Sequence, residues 1–275
     1  MRYIGAAATT LPLLLFAVVL GQAYGSSSVA AAEDVVASAP DPTKKKREAL
    51  LRRRRLSITT TAITDSASLQ TAVTAWCSNA TSAEATYGHI SDWDTSGVED
   101  MSRLFSRYDS SWNDGGAYCS TYDTFNDDIS QWDVSSVLSL SRTFRGAAAF
   151  NQSLAAWNVA RVQSMHETFY AASSFNGSLA SWVTSELTDM YGMFQYATSF
   201  DRDLSSFDTS GVTTMARAFR GAASFDRALS SWDTSEVTSM RGMFRGASSF
   251  RGDVSSWETG KVASMYCMFS EATAF

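Results

Sequence analysis

The sequence predicts an α/β solenoid: a leucine-rich-repeat-like stack of seven coils with short parallel strands and short helical turns, behind an N-terminal helical cap. Three observations predict it. Trp132, Trp157, Trp182, Phe207, Trp232 and Trp257 recur every 25 residues without a slip. Other apolar columns keep that register, notably Leu140, Met165, Met190, Met215, Met240 and Met265, and Phe144, Phe169, Phe194, Phe219, Phe244 and Phe269. Each period also holds only seven apolar positions, too few to close a core alone, so a unit gains stability only by laying its rings on those of a neighbour.

Within one period, Leu229 to Thr234 runs apolar, spacer, spacer, apolar, spacer, β-branched, the pattern of a short strand. Asp233 to Ser235 reads as a turn, and Val237 to Met240 as a second extended piece. Met240, Met243, Phe244 and Ala247 follow the i, i+3, i+4, i+7 stripe of one or two helical turns, with Gly246 permitting the exit. The first unit, marked by Ile90, Trp93, Val98, Met101 and Phe105, is interrupted at about residues 106–124 by an insertion that carries Tyr108, Trp112 and Cys119. Residues 57–87 form the cap, where Asp65 can start a helix whose Leu69, Ala72, Val73 and Trp76 share one face. Residues 88–275 are the repeat region, its last unit incomplete at Phe275. An apolar end face there predicts a fragment of a longer stack or end-to-end self-association.

The run Phe225, Leu229, Trp232-Asp233-Thr234-Ser235, Val237-Thr238, Met240, Met243-Phe244, Ala247, Phe250 resembles the BspA-like leucine-rich-repeat surface proteins, whose 25-residue repeat occurs in mycoplasma lipoproteins and in protist and algal secreted proteins. The resemblance spans residues 88–275 and departs at Phe207, where the pattern has Trp, and at Val183, where it has Asp. It implies the repeat fold, secretion, and a surface interaction or adhesion role without shared enzymatic activity. It supplies no residue-level binding site.

Residues 1–25 read as a signal peptide: Arg2, an apolar run from Leu11 to Leu20, then Ala23 and Gly25 at cleavage spacing. Residues 26–56 are a basic linker or propeptide, with Lys44 to Arg47 and the quartet Arg52 to Arg55 as a candidate processing site. From residue 57 onward, 13 basic face 24 acidic side chains, a net charge of −11 that argues against nucleic acid or anionic lipid as partner. After signal cleavage no membrane insertion is expected, and the location is secreted or cell surface.

Catalytic chemistry is poorly served. Only His89 and His166 could act as bases, and they fall in different units. The methionine column has core spacing, so neither a metal site nor a cofactor is expected. In a secreted chain Cys77 and Cys119 read as a disulfide between cap and insertion, leaving Cys267 odd. Asn79, Asn151 and Asn176 stand in glycosylation sequons, though turn-making accounts equally well for the last two. Asp94, Asp133, Asp208, Asp233 and Glu258 share one register. Each aspartate preceding Thr-Ser can bond the turn backbone, and the alternative is an acidic stripe for a cation or basic partner. The expected function is a non-catalytic protein-interaction or adhesion module whose partner is an extracellular protein or glycan. The alternative is a glycan-binding or cell-wall-associated module using the insertion around Trp112 and Tyr108.

Overall fold

A computed structural model describes residues 60–106 and 119–275, all within the compact unit Leu51–Phe275. The expected signal peptide, the basic linker, and Tyr108 and Trp112 of the insertion lie outside the described residues. The described chain opens with helix α1, Ser66–Ser78. Asp65 starts it through a reciprocal cap, its Oδ1 accepting the Ser68 N–H at 2.8 Å while Ser68 Oγ accepts the Asp65 N–H at 3.0 Å. The buried face is Leu69, Ala72, Val73, Trp76 and Cys77. A second helix, α2, Ala80–Tyr87, follows at once because Asn79 serves both. Its N–H closes α1 on the Ala75 carbonyl, and its Oδ1 accepts from Ser82 N–H at 3.0 Å.

The repeat region corrects the expected fold class. Among the described residues it forms no strand, no sheet and no helix beyond the single 3-10 turn Ile90–Asp92, so neither an α/β layering nor a solenoid of parallel strands is present. Each unit is a run of linked tight turns. Around Phe194, the N–H groups of Met193, Gln195 and Ala197 return to the carbonyls of Met190, Gly192 and Phe194 three residues back, at 3.0–3.2 Å. The N–H groups between them point to the next unit: Met190, Gly192, Phe194 and Tyr196 donate to the carbonyls of Thr214, Ala216, Ala218 and Arg220 at 2.7–3.1 Å.

Half of this backbone therefore closes turns and half ties neighbours. Continuous sheet pairing is denied, and only single-residue parallel bridges survive, Asp100 to Ser139 and then every 25 residues to Ser264. The segment expected as the main strand, Leu229 to Thr234, is itself a turn, closed by Trp232 N–H on the Leu229 carbonyl at 3.1 Å. Residues at i, i+3, i+4 and i+7 are buried, as a helix would bury them. A left-handed residue at the third position of alternate turns breaks the helical ladder instead: Gly192 has φ 58° and Tyr196 φ 61°.

Two phenylalanine columns fill the interior. Phe144, Phe169, Phe194, Phe219, Phe244 and Phe269 stack at 5.4–5.6 Å between ring centres, and each lies 3.9–4.1 Å from its partner in the column Phe150 to Phe275. Fully burying one such ring contributes about 1.5–3 kcal/mol, which is why the period is rigid at these positions. The tryptophan column adds a polar tie. The indole N–H groups of Trp132, Trp157, Trp182, Trp232 and Trp257 donate to the carbonyls of Ile90, Ile129, Leu154, Leu204 and Leu229 in the preceding unit, at 2.8–3.2 Å. Phe207 keeps the stacking, 6.0 Å from Trp182, without that bond. Units approach so closely that a Cβ on Gly177 would meet the Gln152 carbonyl oxygen at 2.0 Å.

Candidate functional site: a variable face of turns

On one side of each unit, four positions around the constant Phe change residue type from unit to unit. Three residues before it stand Ser141, His166, Tyr191, Ala216, Arg241 and Tyr266. Two before it stand Arg142, Glu167, Gly192, Arg217, Gly242 and Cys267, all with φ between 52° and 61°. One after it stand Arg145, Tyr170, Gln195, Arg220, Arg245 and Ser270, and two after it Gly146, Ala171, Tyr196, Gly221, Gly246 and Glu271, again all left-handed. Glycine is the residue such a conformation favours. Arg, Glu, Cys and Tyr occupy it here at a cost of about 1–2 kcal/mol each, and the N–H groups of Arg142, Glu167, Tyr196 and Arg217 are held by hydrogen bonds to the next unit.

The face differs along its length. Glu167 receives both Arg142 and Arg145, at 3.0 and 3.2 Å, and the Arg145 guanidinium also lies over the Tyr170 ring at 4.8 Å. His166 stacks on Tyr191 at 4.8 Å and meets the Asp189 carboxylate at 3.2 Å. Further along, Arg217, Arg220, Arg241, Gly242, Arg245, Tyr266 and Cys267 line a solvent-open cleft of about 40 Å³. Arg217, Arg220 and Arg241 lie over Tyr191, Tyr196 and Tyr266 at 5.4–5.6 Å, and none of the three forms an ion pair among the described residues. Arg245 pairs with Glu271 at 3.0 Å. Gly221 makes room for the Tyr196 ring, which a Cβ there would meet at 2.5 Å.

Residues singled out in the sequence fall elsewhere. Cys77 and Cys119 are joined, S–S 2.11 Å, linking α1 to the end of the insertion. Asp94, Asp133, Asp208 and Asp233 each accept the N–H two residues on, from Ser96, Ser135, Ser210 and Ser235 at 2.9–3.1 Å. The Ser96 and Ser135 hydroxyls, then their N–H groups, hold the Asp94 and Asp133 carboxyls below their ordinary pKa. For Asp233 the Ser235 N–H leads and its hydroxyl follows. Glu258 is exposed, and its carbonyl accepts the Thr234 hydroxyl at 2.8 Å. Asn79 is the shared helix cap, and Asn151 and Asn176 belong to a ladder in which each Oδ1 accepts the backbone N–H 25 residues on, Asn176 for Asn151 and Asp201 for Asn176.

His89 and His166 are not brought together: His89 contacts Ser91 and Trp76, whereas His166 contacts Asp189 and Tyr191. Ser164 Oγ meets the backbone N–H of His166 rather than its imidazole. Among the described residues no group of three or more His, Cys, Asp or Glu side chains is placed to hold a metal ion, and no helix is long and apolar enough to cross a membrane.

The arginine-tyrosine face was not singled out in the sequence. The signal that finds it is internal comparison of the units: columns that vary between columns that do not. No curated protein and no solved structure matches the chain. A family match covers residues 75–207 and 199–275, which takes in α1 from Ala75 and every repeat. The chain therefore belongs to the repeat family described as Mycoplasma protein of unknown function, DUF285.

Proposed function

We propose that this chain is a secreted or cell-surface recognition module, non-catalytic, that engages an extracellular partner through the variable face of turns. The observation that carries this reading is the contrast within each unit. From Leu140 to Phe250 the Met, Phe and Ala columns stay buried and nearly constant, while the columns between and beside them present Arg, Tyr, His and Glu in changing order, two of them on left-handed backbone. A face needed only to turn the chain would use glycine at both left-handed positions. Scaffolded variable surface is the usual arrangement for binding in stacked repeats. The signal-like residues 1–25 and the resemblance to BspA-like surface proteins support export. The separate environments of His89 and His166 support a role without general-base catalysis.

The test is binding of the secreted full chain to arrays of extracellular proteins and of polysaccharides, beside Y191S/Y196S. A captured partner should bind the variant about tenfold more weakly, the loss of one well-packed aromatic contact pair, with an unchanged melting temperature. A partner bound equally by both proteins would remove the face from the reading.

A further inference from the structure

We propose that Arg217, Arg220, Arg241 and Arg245 form a binding site for sulfate ester groups carried on a polysaccharide; this deepens the recognition reading and rests on it. Four guanidinium groups from two adjacent units converge on one cleft, and three of them have no carboxylate partner among the described residues. Outside the cleft, Arg227 pairs with Asp201, Arg251 with Asp226, Lys261 with Glu236, and the arginines near Phe144 with Glu167, while Arg202 donates to the Asn176 carbonyl and the exposed Arg161 makes no ion pair among the described residues. A concentration of unmatched positive charge is self-repelling, so this cleft gains from an anion. The net charge of −11 from residue 57 onward does not oppose that at contact distance. Fields from exposed charges fade over roughly 8 Å at physiological salt, so the local arginines dominate and the distant carboxylates affect chiefly the rate of approach.

The chemistry of the cleft selects among anions. Guanidinium forks match oxyanions that offer several acceptor oxygens, which a point-charge lysine does less well. A polypeptide partner would also seek backbone hydrogen bonds, and here they are already used: the N–H groups of Arg217, Gly221, Gly242 and Gly246 go to the carbonyls of Arg241, Arg245, Tyr266 and Ser270 at 2.7–2.9 Å. A sulfated sugar needs only the side chains. Tyr266, 67% exposed, offers an aromatic face beside the charges on which the C–H side of a sugar ring can lie.

Cys267 lines the same cleft and is free, which makes it a reporter. The full chain is titrated with dextran sulfate, unsulfated dextran and polyglutamate at low and physiological salt, while alkylation of Cys267 by iodoacetamide is timed. The expected result is dextran sulfate binding that weakens with salt and slows alkylation several-fold, with no effect of dextran and little of polyglutamate. R217Q/R241Q and, separately, R220Q/R245Q should each weaken that binding about tenfold or more, because each removes two charge-assisted contacts, and should melt like the parent. Polyglutamate bound as tightly as dextran sulfate, or dextran sulfate binding that survives both double substitutions, overturns the site. If dextran sulfate fails while Y191S/Y196S still weakens a captured partner, the sulfate site falls and the recognition reading stands. If the arginines bind dextran sulfate but the chain is never exported, the site stands and the extracellular role falls.

Discussion

Asp133 shows what a single polar side chain does in this architecture. It is exposed, yet it closes a turn by accepting both the Ser135 hydroxyl and, at 2.9 Å, the Ser135 N–H, and both interactions favour the carboxylate. Its pKa is lowered in the folded chain, so the stability it contributes is complete above the unfolded carboxylate value and is lost as pH falls through the folded one. Carboxyl NMR titration should give a midpoint for Asp133 below the ordinary aspartate range. Asp133→Asn should flatten that part of the acid-stability curve, by a small amount because the group faces water. A midpoint at or above the ordinary range would remove the turn as the cause. The Asp-x-Ser spacing, here Asp133-Val134-Ser135, announces this turn in the sequence, since acceptor and donor are local. The tryptophan indole bonds are not announced, because each acceptor carbonyl lies 28 residues or more back along the chain.

At the scale of elements, the cap and the turns differ in how readable they are. Helix α1 is specified by neighbours in sequence: Asp65 and Ser68 fix its start, and Leu69, Ala72, Val73 and Trp76 fix its buried face. Its attachment to the repeats combines the indole N–H of Trp76 on the Asp127 carboxylate at 2.7 Å with the bond between Cys77 and Cys119. That disulfide closes a loop of 42 residues, so reducing it releases chain entropy in the unfolded state worth about 4 kcal/mol. Calorimetry with and without reductant should show the melting temperature fall when Cys77 and Cys119 are reduced, and Cys77→Ser with Cys119→Ser should reproduce the reduced protein. Equal melting temperatures would mean that the disulfide contributes nothing to global stability. The turns are misread because their buried residues carry the same i, i+3, i+4, i+7 spacing as a helix. The sign of φ at positions such as Arg217 and Tyr196, which decides between the two, leaves no mark when the residue is not glycine.

For the molecule as a whole, stability is a sum over interfaces between like units, so register matters more than the number of units. Deleting residues 176–200, one full period, brings Phe225 onto Phe175 and Phe219 onto Phe169 and should leave a single cooperative transition at slightly lower temperature. Deleting residues 176–188 sets rings against turns and should abolish the transition in calorimetry. Equal damage from the two deletions would refute a register-based core. Charge behaves differently at this scale. A net charge of −11 from residue 57 onward gives no hint of an arginine cleft, because Arg217, Arg220, Arg241 and Arg245 lie up to 28 positions apart in sequence and only stacking of adjacent units collects them.

The period, the buried columns and the capping helix are legible in residue type at fixed spacing, through the hydrophobic effect and, for the helix, the local Asp65–Ser68 cap. Tertiary structure decided the rest. Whether a backbone N–H closes its own turn or reaches the next unit depends on a neighbour 25 residues away, as Gly192 N–H does in donating to the Ala216 carbonyl. That choice replaced the expected strands and helical turns with linked turns. It also placed the side chains flanking each Phe side by side on one face, where guanidinium groups far apart in the chain meet in one cleft.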